Sequence, residues 1–149
     1  MPGERKPTEQ RKRQIIEAAR KLIIANGSEH ITIKGIATEV GISEAAIYRH
    51  FKNKRDILEV LVDHLEKNLE RDLTKAGSGK YHSIQTVDRA LRAHISEIEQ
   101  RRGISFQVIA EIISLGDKDL NEKASKTINS YINSLRDLLA QSVSSREIR

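Results

Sequence analysis

Apolar residues recur along this chain at intervals of three and four. Ile57, Leu58, Leu61, Val62, Leu65 and Leu69 form one such run, and Ile15, Ala19, Leu22 and Ile23 form another. That spacing gathers side chains on one face of an α-helix, whereas a half-buried strand alternates with a period of two. No segment shows convincing alternation, and no hairpin turn joins two such segments. The sequence therefore predicts an all-α fold.

The helix ends are marked as clearly as the faces. Thr8, Thr32, Ser43 and Asn53 stand where a side-chain oxygen can accept from the free N–H groups of a first turn. Asn26–Gly27 and Gly41 stand where a left-handed residue closes a last turn. Between these marks the pattern predicts a helix after Thr8, a short one with Ile33, Ile36, Ala37 and Val40 inward, and another from Ser43 to about His50. A long helix follows Asn53, with Asp56 in its first turn, where a negative charge suits the helix dipole. Ile84, Val87, Leu91, Ile95 and Ile98 predict the inward stripe of a further helix ending at Gly103. Residues 104–116, ISFQVIAEIISLG, are apolar around most of their girth and predict a short buried helix. Asp117 opens the last one, with Leu120, Ala124, Ile128, Tyr131, Leu135 and Leu138 expected inward.

Residues 76–80, AGSGK, are expected to be a linker. Their Gly-Lys pair does not make a phosphate loop. Thr74 stands where the first glycine is required, Tyr81 where the Ser or Thr is required, and a helix precedes it rather than a strand. Residues 1–7 are polar, carry Pro2, Gly3 and Pro7, and are expected to be disordered.

Charge divides the chain unevenly. Residues 1–55 hold twelve Lys/Arg against six Asp/Glu, while the remainder holds fourteen against fifteen. A basic head on a near-neutral body suggests that the head meets a polyanion. With no cysteine, disulfides, thiolate metal sites and cysteine nucleophiles are excluded. His64, His82 and His94 fall on separate elements without i, i+4 pairing, so no metal site is expected, and no Ser–His–acid set can be assembled. No apolar run approaches the ~20 residues of a membrane-spanning helix. The basic N-terminus lacks the apolar core of a secretory signal. A cytoplasmic protein without cofactor or catalytic residues is the expectation.

Residues 32–50 carry the logic of a helix-turn-helix. A two-turn helix ends at Gly41, Ile42 fills the turn, and Ser43 restarts the chain as a helix. Ala37 permits close crossing of the two helices. Ala46 and Ile47 face inward, leaving Glu44, Ala45, Tyr48 and Arg49 outward. Such a second helix enters a DNA major groove with its N-terminus foremost. Ser43, Glu44 and Ala45 are then candidates for base edges. Tyr48 and His50 are candidates for phosphate oxygens, and Arg49 for a guanine or a phosphate. Lys54 at the start of the fourth helix, and Thr32 at the start of the second, complete the expected grip on the backbone.

Residues 32–58, TIKGIATEVGISEAAIYRHFKNKRDIL without a break, resemble the DNA-binding domain of TetR-type transcriptional regulators. Thr32, Ile36–Ala37, Val40–Gly41–Ile42–Ser43, Ile47–Tyr48–Arg49–His50–Phe51 and Lys54 match that pattern in order and spacing, over about residues 8–65. Val40 departs from the usual alanine before the turn glycine, and Ala45–Ala46 from the frequent Gly-Thr pair. Ala46 therefore lacks a hydroxyl that would serve one backbone contact.

The resemblance implies a helix-turn-helix head over residues 8–52 and a helical regulatory body over 53–149, connected by the helix of residues 53–75. It also implies a homodimeric repressor, released from a palindromic double-stranded operator by a small-molecule effector. His94, Phe106, Gln107, Glu111 and Tyr131 are the candidate lining of the effector pocket, with Tyr81 beside them. In that family the last two helices usually form the dimer interface, so this chain is expected to be a truncated piece of such a protein or an unusually short member. The alternative is a helical protein-interaction module with an ancillary DNA-binding head.

Overall fold

The computed structural model describes residues 8–26, 30–77 and 84–144. Among them lie seven helices: α1 (Thr8–Asn26), α2 (Ile33–Val40), α3 (Glu44–Tyr48), α4 (Lys54–Gly77), α5 (Ile84–Gln100), α6 (Ile104–Leu115) and α7 (Lys118–Ser144). No strand occurs among the described residues. The expected disorder of residues 1–7, the stop at Gly27, the linker residues 78–80, and Tyr81 and His82 lie outside the described residues.

Three of the predicted N-caps form, whereas Thr8 is the first helical residue of α1 rather than its cap. The Thr32 hydroxyl accepts from Gly35 N at 3.0 Å, Ser43 Oγ from Ala46 N at 3.1 Å, and Asn53 Oδ1 from Asp56 N at 3.0 Å. Asp56 Oδ2 in turn accepts from Lys52 N at 3.2 Å, so the start of α4 is tied from both sides. Gly41 has φ +76°, and its N–H and that of Ile42 both donate to Ala37 O, at 2.9 and 3.0 Å. This left-handed closure turns the chain sharply enough for Ser43, two residues later, to cap α3.

One continuous core runs from head to body. Ile15, Ala19, Ile23, Ile36, Ala37, Ile47 and Phe51 are joined to Ile57, Leu58, Leu61 and Val62 of α4, and these to Ile104, Val108, Ile112 and Leu120. The core therefore crosses the expected division at residues 52 and 53. α4 makes this continuity, since it packs against α1, α5, α6 and α7.

Two expected faces are corrected. On α5 the buried residues are Thr86, Val87 and Ala90, while Ile84, Leu91 and Ile95 are exposed. The small side chains go inward because α4 and α7 both pack closely against this helix. On α6, Ile104, Val108, Glu111 and Ile112 are buried, but Phe106 and Ile113 are 62% and 66% exposed. The helix is apolar all round, yet only one side of it is covered. On α7, Leu120, Ala124, Thr127 and Tyr131 are buried, and Ile128, Leu135 and Leu138 are half-buried.

Candidate nucleic-acid interface and effector cleft

The recognition helix is held by one anchor. Ile47 is fully buried beneath α3, a burial worth about 1.5–3 kcal/mol. Around it Ser43, Glu44, Ala45, Tyr48 and Arg49 are all exposed, and Tyr48 presents 51% of its surface. Ser43 and Thr32 spend a lone pair on their caps, which leaves each hydroxyl hydrogen free to donate outward. His50 is half-buried, and its Nδ1 is buried without a partner. Lys34, exposed in the first turn of α2, adds a cation that the motif reading missed. Its signal was available in the sequence, two residues after the Thr32 cap.

Lys54 requires a correction. Its ammonium is turned inward, donating to Ile31 O at 3.1 Å and to Glu111 Oε2 at 3.3 Å. In this conformation it does not face a phosphate. The pull comes from Glu111, which is only 5% exposed and needs donors once removed from water. Glu111 Oε1 also accepts from Ile31 N at 3.3 Å and is 3.1 Å from His30 Nδ1.

Glu111 is accordingly corrected as a pocket residue: it belongs to the joint between α6 and the head. Gln107, one turn earlier, does not line the cleft described next, and its Oε1 is buried without a partner.

A cleft of about 140 Å³ opens among α4, α5, α6 and α7, lined by Leu65, Leu69, His94, Ile98, Ser105, Phe106, Ile109, Ile128 and Tyr131. Three of the five candidate pocket residues, His94, Phe106 and Tyr131, meet there. The His94 and Tyr131 rings lie 5.0 Å apart and tilted by 36°. The Tyr131 hydroxyl is buried without a partner. Burial pushes it above the usual phenol range, and the negative charge of Asp72 adds to the effect. Asp72 itself is pushed up, first by burial and then by Glu97. The cleft thus has mostly apolar walls, with His94, Ser105 and the buried, unpartnered Tyr131 hydroxyl as its polar groups.

Residues 15–61 match the family described as bacterial regulatory proteins, tetR family. That stretch of the chain is a tetR-family domain. Over 91% of its length it superposes on the TetR-family transcriptional regulator PfmR from Thermus thermophilus, with a TM-score of 0.78 and 26% identity, covering 73% of that chain. The structure of FadR from Bacillus subtilis in complex with stearoyl-CoA matches with a TM-score of 0.72 and 25% identity, over 92% of this chain and 73% of that one. In sequence, the nucleoid occlusion factor SlmA of Vibrio vulnificus is 26% identical over 142 residues, which is 95% of this chain and 71% of the relative. The chain is a DNA-binding transcriptional regulator. Its relatives are regulators rather than enzymes, and no helix among its described residues is long and apolar enough to cross a membrane.

Proposed function

We propose that this regulator acts as a homodimeric repressor on a palindromic operator and is released by an acyl-bearing effector seated in the cleft. The observation that carries the DNA reading is the α3 surface, where Ile47 is buried while Ser43, Glu44, Ala45, Tyr48 and Arg49 face outward. Ser43, Glu44 and Ala45 read base edges, and Tyr48, Arg49 and Thr32 grip the backbone. Two such heads on one palindrome sit about 34–36 Å apart or at a multiple of that.

The effector reading rests on the cleft. Leu65, Leu69, Ile98, Ile109 and Ile128 offer a slender apolar channel, and the Tyr131 hydroxyl offers a single donor to a carbonyl or thioester oxygen. The structural relative solved with stearoyl-CoA supports the acyl class. Pairing of two copies draws on the exposed apolar flank of α7, where Ile132, Leu139 and Val143 share one side of the helix.

Selection of bound sequences from random duplex DNA, followed by release with an acyl-CoA series, tests the proposal. A palindromic consensus and release that depends on chain length are expected. Recovery of no preferred sequence sinks the repressor reading, and release by coenzyme A alone sinks the acyl effector.

A further inference from the structure

The Glu111 carboxylate gathers donors from the head, at His30 and Ile31, and from the first residue of α4, Lys54. Oε2 accepts from Lys54 Nζ, and Oε1 meets Ile31 N and His30 Nδ1, at 3.1 to 3.3 Å. These partners precede it by 57 to 81 residues. A second contact lies one turn on, where Ser114 Oγ is 3.1 Å from His30 Nε2. The groups held are not arbitrary parts of the head. Ile31 immediately precedes the Thr32 cap of α2, and Lys54 is the first residue of α4. Glu111 therefore grips both edges of the helix-turn-helix.

Lys54 can serve either Glu111, as it does here, or a phosphate of bound DNA. It sits on the rim beside exposed Lys52 and Asn53, with a four-carbon stem and three rotatable donors. Its side chain keeps 22% of its surface exposed, against 6% for that of Glu111. The ammonium can swing, while the carboxylate is fixed in α6. A phosphate at the groove wall and Glu111 cannot both hold the same ammonium at full strength.

We propose that Glu111 is a positioning residue that competes with DNA for Lys54 and so sets the number of phosphate contacts each head makes. The proposal rests on the DNA-binding function. Helix α6 carries this device on one side and the cleft residues Phe106 and Ile109 on another. A ligand that shifts α6 changes the grip of Glu111 on Lys54. This acts on the charge of each head separately, without altering the distance between two heads.

The test is the salt dependence of binding to a random-sequence duplex, by fluorescence anisotropy. Each phosphate neutralised contributes a slope of about −0.9 in log affinity against log salt. Glu111→Gln is expected to bind more tightly than wild type at low salt, with a slope steeper by about 0.9 per head. Adding Lys54→Met to Glu111→Gln should remove that increment. Glu111→Asp, which keeps the charge but withdraws it by one methylene, should fall between wild type and Glu111→Gln, and it serves if Glu111→Gln does not fold. Either carboxylate variant, folded by circular dichroism, overturns the proposal if its slope equals that of wild type. It is also overturned if the increment persists without Lys54. If wild type binds no duplex with a salt-dependent affinity, the DNA reading itself has failed, which is a different result.

Discussion

Arg20 Nη2 lies 2.9 Å from His64 Nδ1, joining α1 to α4 across 44 residues. A guanidinium only donates, so Nδ1 must accept, and the ring is neutral with its proton on Nε2. Burial lowers the imidazole below its ordinary value of 6.5, and the positive charges of Arg20 and Lys67 lower it further. The unfolded state therefore takes up the proton first. The stability contributed by this lowering is fully present above pH 6.5 and is lost as pH falls from there through the folded value. Thermal unfolding followed from about pH 7 down to about pH 5 should show a falling Tm. His64→Gln should flatten that fall, and an unchanged profile counts against the Arg20 contact.

Tyr131→Phe removes a buried hydroxyl that has no partner. The variant is expected to be more stable by about 1 kcal/mol in urea denaturation. The same change should weaken effector release of DNA while leaving operator affinity intact. Lower stability would mean that the hydroxyl is satisfied in solution.

Gly41→Ala places a side chain at φ +76°. Nothing lies within 4 Å of the added carbon, so the penalty is one of backbone conformation rather than collision. A loss of about 1–2 kcal/mol is expected by chemical denaturation. DNA affinity should fall further than global stability, because this turn aims α3.

Tyr48→Phe leaves the core untouched, since the ring is half exposed on α3. Stability should be unchanged. Affinity should drop roughly fivefold for operator and random DNA alike, the loss of about one hydrogen bond to phosphate. Ala45→Thr should instead change which operator is preferred. A Tyr48→Phe effect confined to one sequence would reassign the phenol to base readout.

The sequence by itself determined what depends on near neighbours. Thr32, Ser43, Asn53 and Gly41 mark helix ends through contacts within a few residues, so the caps, the turn and the outward set on α3 were legible before any coordinates. The inward residues of α4 were legible for the same reason, and so were Ile15, Ala19 and Ile23 on α1, although Ile16 and Ala18 are buried there too and Leu22 only half so. Only the tertiary structure decided which side of α5 goes inward. Its apolar stripe was visible, but close packing against α4 and α7 chose Thr86 and Ala90 over Leu91 and Ile95. Only the tertiary structure decided the destination of Lys54. Its placement on a rim is a local property, whereas the carboxylate that holds it comes from α6, 57 residues away. Spacing along a chain encodes the face of a helix. It carries no record of which distant charge the fold will bring to that face.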